Sequence, residues 1–245
     1  MTTPAYIQCE RVEKRFQHKE VLRGVSLDIY RGETLVVMGG SGCGKSVLLK
    51  HLNGLLRPDR GRVLVDGSAI SELAESSLTP VRRKVGMLFQ MGALFDSLTV
   101  GENVAYPLRE HHMLPAAAIP ARVRECLGMV DLAGSERLMP SELSGGMRKR
   151  AALARALALE PEALLYDEPT TGLDPVVAAK INHLIRDLQQ RLGLTAVVVT
   201  HDLGSAFFVA DRIAFLHDGR IRFIGTPAEA RATHDPVLHE FLNAA

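Results

Sequence analysis

The stretch Gly39-Gly40-Ser41-Gly42-Cys43-Gly44-Lys45-Ser46 satisfies the pattern G-x-x-x-x-G-K-[ST]. Few folds accommodate it, because it requires a buried strand, a glycine-rich turn and then a helix. Its flanks meet that requirement. Thr34–Met38 is a short apolar run bounded by Gly32 and Gly39, as a buried parallel strand should be, and Ser46–Asn53 is helical in pattern. Glycines let main-chain N–H groups curl around phosphate oxygens without Cβ obstruction, and the helix N-terminus adds partial positive charge. Lys45 is expected to reach the β- and γ-phosphates of a nucleotide, and Ser46 to ligate Mg²⁺. A chance glycine turn is the competing reading, which the matching context on both sides disfavours.

Strand signals flank a helical block. Val25, Leu27 and Ile29 alternate with polar residues, with Ile7–Phe16 as the expected partner strand. Arg62–Val65 follows, and the signal returns at Ala163–Tyr166, Ala196–Val199 and Ile213–Leu216, with a hairpin turn at His217–Arg220. Residues 91 to 158 are mostly helical in pattern, with loops expected at Gly101, Pro115 and Met139–Gly146 and a long helix at Met147–Leu159. Such alternation predicts an α/β class fold with a parallel core and a helical insertion. We read residues 1–245 as one domain, with a core of 1–90 and 159–245 and a helical part at 91–158.

Composition removes several function classes. A net charge of +1 offers no footprint for nucleic acid, and the absence of Trp argues against a base-stacking platform. The three cysteines, Cys9, Cys43 and Cys126, are odd in number and form no CxxC pair, so a reducing, cytoplasmic chain is expected. The N-terminus lacks the pattern of a signal peptide, and the richest helical stretch, Ala151–Leu165, is interrupted by Arg155 and Glu160.

Two further runs carry chemistry. Ala163–Asp174 delivers Asp167 and Glu168 at a strand end. Alone, such a pair is more often a solvated turn. Beside a phosphate loop, Asp167 suits the Mg²⁺ shell, and Glu168 suits polarising an attacking water. His201 follows the strand Ala196–Val199 and can contact a γ-phosphate, whereas the other eight histidines read as surface or packing residues. Leu143-Ser144-Gly145-Gly146-Met147 opens a helix, giving a second anion-ready N-terminus. Its plain alternative is an ordinary Ser N-cap. Lys45 already serves the one γ-phosphate, so a dimer in which each chain caps the other's nucleotide is the economical reading.

With these motifs the chain resembles the ATP-binding subunits of ABC transporters over nearly its whole length. The resemblance implies a P-loop NTPase (RecA-like) core with an antiparallel β subdomain and an inserted α-helical subdomain. It implies ATP and Mg²⁺ as cofactors and a second copy of the chain as partner. Phe16 looks like the aromatic that stacks on adenine, and Gly39, Gly40, Ser41, Gly42, Cys43, Gly44, Lys45 and Ser46, with Val47 behind them, look like the Walker A loop. Gln90 corresponds to the glutamine that touches Mg²⁺ and the attacking water, and Ser144, Gly145 and Gly146 to the signature turn. Asp167 and Glu168 correspond to Walker B and its catalytic base, Asp174 to the loop that crosses to the partner, and His201 to the switch histidine. Met147 replaces the usual signature glutamine, which is expected to alter helix packing rather than hydrolysis.

Residues 87–111 and 139–161 look like the ATPases of Mla/MCE-type phospholipid-transport systems, in which a signature methionine is typical. That narrower resemblance implies an integral membrane permease, an MCE-domain protein, a small STAS-domain protein and a phospholipid cargo. It also implies a peripheral position on the cytoplasmic face of a bacterial inner membrane. A solute-importing ABC transporter is the alternative. Such ATPases can carry a C-terminal extension that embraces the partner ATPase, and with the sequence ending at Ala245 a shorter or missing embrace is expected. A soluble ABC ATPase of DNA repair or translation usually has two cassettes or a coiled-coil insertion, for which this length leaves no room.

Two local expectations remain. Met91, Leu94, Phe95 and Leu98 follow Gln90 in a loop, and we read them as a groove for a short helix of the permease, with packing of the insertion's own core as the alternative. Cys43, beside Lys45 and a helix N-terminus, is expected to ionise readily and react.

Overall fold

Alternating apolar residues and glycine-punctuated apolar runs divide the strands between two sheets. A computed structural model describes residues 4–244. β1 (Ala5–Phe16) and β2 (Lys19–Tyr30) pair antiparallel, with Val25, Leu27 and Ile29 buried on one face as their alternation requires. β3 (Thr34–Met38) is buried at every residue and runs into α1 (Lys45–Leu52) through the glycine loop. β4 (Arg60–Val65) and the short β5 (Ser68–Ala69) complete a four-stranded sheet of order β2-β1-β4-β5. Next come α2 (Thr79–Lys84), β6 (Val85–Leu88) and three helices of the insertion: α3 (Val100–Glu110), α4 (Ile119–Met129) and α5 (Gly145–Leu157). The chain returns through β7 (Ala163–Asp167), α6 (Pro175–Leu192), β8 (Thr195–Thr200) and α7 (Leu203–Val209). It closes with β9 (Arg212–His217), β10 (Arg220–Gly225), α8 (Pro227–Arg231) and α9 (Pro236–Ala244).

The second sheet has six strands in the order β10-β9-β3-β8-β7-β6, with every pair parallel except β9–β10. Parallel strands put all their C-terminal ends on one edge, where open α/β sheets bind ligands. The strand interiors alternate between two cores. Leu35, Val37, Leu165 and Val197 join the cluster under the antiparallel sheet and α1. Val36, Met38, Leu164 and Val198 join a cluster continuous with α3, α4, α5 and α6. Among the described residues no helix is long and apolar enough to cross a membrane.

Two sequence expectations are corrected. Gly101 is the second residue of α3, not a loop. Thr99 and Glu102 form a capping box in front of it, and its N–H donates to the Glu136 carbonyl at 2.9 Å. A Cβ at Gly101 would lie 2.9 Å from that carbonyl oxygen, so close approach rather than chain breaking explains the glycine. The signature helix also starts earlier than Met147, because Ser144 caps it by accepting from the Met147 N–H at 3.3 Å. Met147 itself packs against the larger core.

Candidate functional site

The parallel sheet brings four segments to one edge. The glycine loop leaves β3, Gln90 lies two residues beyond β6, Asp167 ends β7 with Glu168 next, and His201 directly follows β8. Lys45, Ser46, Gln90, Glu168 and His201 line one open cavity of about 680 Å³, together with Gly40, Ser41, Gly42, Gly44, Val21, Val47 and Phe241. Gly39 closes the back of the loop. A Cβ there would sit 2.2 Å from the Leu216 carbonyl oxygen, which fixes how tightly the loop turns against β9.

The polar groups are already arranged. The Lys45 ammonium donates to the carbonyls of Gly39 (2.8 Å) and Gly40 (3.1 Å) and stands 3.7 Å from a Glu168 carboxylate oxygen. The Ser46 hydroxyl donates to Asp167 Oδ1 at 2.6 Å. Glu168 has a left-handed backbone, φ 49°, which costs a non-glycine residue about 1–3 kcal/mol. Its N–H donates to the Val199 carbonyl at 3.0 Å, and the Thr171 hydroxyl donates to Oε2 at 3.1 Å. His201 Nδ1 lies 3.0 and 3.1 Å from the two carboxylate oxygens. The strained backbone is thus held from several sides.

A hydroxyl and a carboxylate meeting at the lip of a phosphate-sized cradle fit Mg²⁺, which favours hard oxygen donors and completes its octahedron with phosphate and water. Among the described residues no group of three or more His, Cys, Asp or Glu could hold a metal ion. The Ser46–Asp167 donor pair therefore calls for phosphate oxygens beside it.

The description "ABC transporter" matches residues 22–171 of the chain. The chain belongs to the ABC transporter family. It is 44% identical over 223 residues (91% of this chain, 83% of the relative) to the intermembrane phospholipid transport system ATP-binding protein MlaF of Escherichia coli K12. It is also 44% identical over 238 residues (97% of this chain, 68% of the relative) to a probable ribonucleotide transport ATP-binding protein, mkl, of Mycobacterium leprae. A solved ATP-binding cassette, dimeric and bound to ADP and Pi in a post-hydrolysis state, superposes with a TM-score of 0.83 at 36% identity, over 90% of this chain and 98% of that one. The fold is therefore that of an ABC ATPase cassette.

Other expected site residues lie apart from this cavity. Phe16 is half exposed at the end of β1, with the Lys14 ammonium 5.6 Å from its ring centroid, and is not among the cavity's lining residues. Gly145 and Gly146 lie against Leu173 and Val177, on either side of Asp174 in the chain, and neither they nor Ser144 are among the cavity's lining residues. Asp174 caps α6 by accepting from the N–H groups of Val176 and Val177, both at 3.0 Å.

Cys43 requires a correction. Burial pushes its thiol pKa up and outweighs the pull of Lys45. Desolvation of the thiolate wins over a neighbouring charge that is itself held by carbonyl oxygens. Alkylation of Cys43 at neutral pH is expected to run slower than that of a free thiol such as glutathione. Mass-spectrometric labelling of a Cys9→Ala/Cys126→Ala chain measures this, and faster labelling would contradict it. Cys9, Cys43 and Cys126 are free thiols, Cys9 and Cys126 being buried.

The apolar loop divides in two. Leu94 is partly buried against the insertion's core, whereas Met91 (86% exposed) and Phe95 (43%) face outward. Phe95 meets Tyr106, also exposed, with ring centroids 4.7 Å apart. The buried Asn103 holds this loop. Its Nδ2 lies 3.0–3.1 Å from the carbonyls of Phe95, Leu98 and Thr99, and its Oδ1 accepts from the Phe95 N–H at 2.8 Å. Arg155 of α5 donates to the carbonyls of Ala93 (2.8 Å) and Gly92 (3.1 Å), just after Gln90.

Sequence reasoning missed Lys149. It is buried and donates to the carbonyls of Glu168 (3.2 Å) and Thr171 (2.9 Å), although Arg148 and Arg150 flank it. Its place three residues after Gly146 and four before Leu153 puts it on the buried stripe of α5, a signal the sequence did contain.

Proposed function

We propose that this ABC ATPase is the hydrolytic motor of a membrane complex that moves phospholipid between membranes. The observation that carries the motor reading is the gathering of Lys45, Ser46–Asp167, Gln90 and Glu168–His201 around one cavity at the sheet edge. The identity to MlaF supports the lipid cargo.

The nucleotide's phosphates take the N–H groups of residues 40–46 and the Lys45 ammonium, which gives up its carbonyl partners for them. Ser46, Asp167 and Gln90 would hold Mg²⁺, whose charge neutralises the β- and γ-phosphate oxygens when bound. Glu168 orients a water toward the γ-phosphorus and accepts its proton as the new P–O bond forms and the bond to ADP breaks. His201 holds the Glu168 carboxylate from the other side and reaches the γ-phosphate. Phe16 stacks on the adenine, with Val47 behind the loop.

Two copies act together, each presenting Ser144–Gly146 and Asp174 to the nucleotide of the other, and residues 91–158 move as the lever. The exposed Met91–Phe95–Tyr106 surface then seats a short cytoplasmic helix of an integral permease. An MCE-domain protein beyond the membrane and a small STAS-domain protein complete the complex, with this chain peripheral on the cytoplasmic face of the inner membrane. A second reading, import of a small solute, is favoured by the similarity to the probable ribonucleotide transport protein mkl.

Purification of the chain with its permease, followed by reconstitution and a transfer assay with fluorescent phospholipid, tests the proposal. ATP-dependent lipid transfer is expected, and ATP-driven uptake of ribonucleotide without lipid transfer would favour the second reading. In the same preparation Phe95→Asp is expected to abolish copurification while costing about 0.5–1.5 kcal/mol of stability, the worth of its ring contact with Tyr106. Leu94→Asp, at a partly buried position, is expected instead to lower soluble yield. Normal copurification of a stable Phe95→Asp chain would remove the docking surface.

A further inference from the structure

Lys149 is 7% exposed as a residue, and its ammonium makes no ion pair within 4.0 Å among the described residues. Its partners are two backbone carbonyls, those of Glu168 and Thr171. Burying a cation against carbonyl dipoles alone is unfavourable, and an apolar side chain of the same length would fill the space at lower cost. Burial indeed lowers the pKa of Lys149, while the nearby Glu168 carboxylate opposes that shift. What the lysine supplies in return is a donor to the Glu168 and Thr171 carbonyls, the two ends of one turn beside the cavity.

Lys149 belongs to α5, whose first residues form the Ser144–Gly146 turn, and it reaches the one residue of the site with a left-handed side-chain-bearing backbone, Glu168. Glu168 thus stands between two lysines, Lys45 before its carboxylate and Lys149 behind its carbonyl. The carbonyl of Thr171 shares the same ammonium, and the Thr171 hydroxyl returns to the Glu168 carboxylate. One cation therefore closes the 168–171 turn from inside.

We propose that Lys149 is a positioning residue for hydrolysis, holding the 168–171 turn so that the Glu168 carboxylate is aimed and tying that aim to the seating of the signature helix. The proposal rests on Glu168 being the base. If α5 shifts as its N-terminal turn engages a second chain's nucleotide, Lys149 carries that shift to the base of its own chain. Two successive turns of one helix then serve two different nucleotides.

The test uses the full chain and four variants: Lys149→Met, Lys149→Arg, Glu168→Gln and the double Lys149→Met/Glu168→Gln. Lys149→Met is expected to lower kcat by about tenfold or more with KM and ATP affinity within about twofold, the pattern of a lost transition-state interaction. Lys149→Arg, which keeps a cationic donor, is expected to stay within about threefold of the parent kcat. In the Glu168→Gln background, Lys149→Met is expected to cause less than about a twofold further loss, because residues acting as a unit are not additive. An unchanged kcat in Lys149→Met would overturn the proposal, as would a fully multiplicative loss in the double variant. So would a parallel rise in KM with no rescue by arginine. If Lys149→Met is insoluble, Lys149→Gln takes its place with the same outcomes. Glu168→Gln alone separates the failures: turnover retained there refutes the base itself. Turnover lost there but kept in Lys149→Met refutes the lysine alone.

Discussion

Glu168→Gln is expected to lower ATP turnover by about 10²–10⁴-fold, the range supplied by a positioned general base. The substitution keeps the shape of the side chain and its contacts to the Thr171 hydroxyl and His201. What it removes is the group that accepts the water's proton. It also removes a negative charge 3.7 Å from the Lys45 ammonium, beside the place of the phosphates, so ATP affinity is expected to hold or rise. Nucleotide that binds but is not hydrolysed should then accumulate a closed pair of chains. Steady-state hydrolysis, equilibrium nucleotide binding and light scattering with and without Mg·ATP measure the three parts. Hydrolysis within a few fold of the parent would sink the role of Glu168.

Lys45→Met is expected to have the largest effect on binding. The Lys45 ammonium donates to the Gly39 and Gly40 carbonyls and stands 3.7 Å from the buried Glu168 carboxylate, so methionine also removes a buried ion-pair partner, and each chain is therefore compared with itself, with and without nucleotide. With ATP present the two chains should separate. A ligand at a hundredfold its Kd stabilises a folded chain by about 2.7 kcal/mol. For a chain of this size that is roughly a 5–11 °C rise in melting temperature. The parent should show such a rise in Mg·ATP, and Lys45→Met should show almost none. Thermal scans with and without nucleotide make the comparison. An undiminished rise in the variant would mean that the loop's N–H groups hold the phosphates without the lysine.

Much of this fold is visible in the sequence because buried parallel strands are continuous apolar runs. Thr34–Met38, Ala163–Asp167 and Thr195–Thr200 are buried throughout, and each leads into residues that line or flank the cavity. Alternation at Val25, Leu27 and Ile29 likewise marks a strand with one wet face. Glycine was the weaker guide. Gly101 reads as a breaker, yet it begins a capped helix, because its role is to let residue 136 approach. Charge misled at Cys43 and left Lys149 unnoticed, for one physical reason: a sequence shows which charges are neighbours but not how dry their surroundings are. Lys45 beside Cys43 suggested an activated thiol, and burial reversed it. Lys149, between Arg148 and Arg150, drew no reading from the sequence, and the helix turns it inward. Similarly, Leu94 and Phe95 are adjacent and equally apolar, and only the fold puts one against the core and the other outside.

The Asn103 clasp on the loop after Gln90 has a calorimetric consequence. Fixing a flexible backbone costs about 1–2 kcal/mol per residue at room temperature. Here that cost falls on folding, since the Phe95, Leu98 and Thr99 carbonyls are already held by one buried side chain. A helix settling on Phe95 and Tyr106 would therefore meet a preformed surface. Its association should show the negative heat-capacity change of apolar burial without the large unfavourable entropy of a loop that orders as it binds. On the proposed docking role, the isolated chain would thus present the Phe95–Tyr106 surface in the same shape whether or not a membrane partner is present.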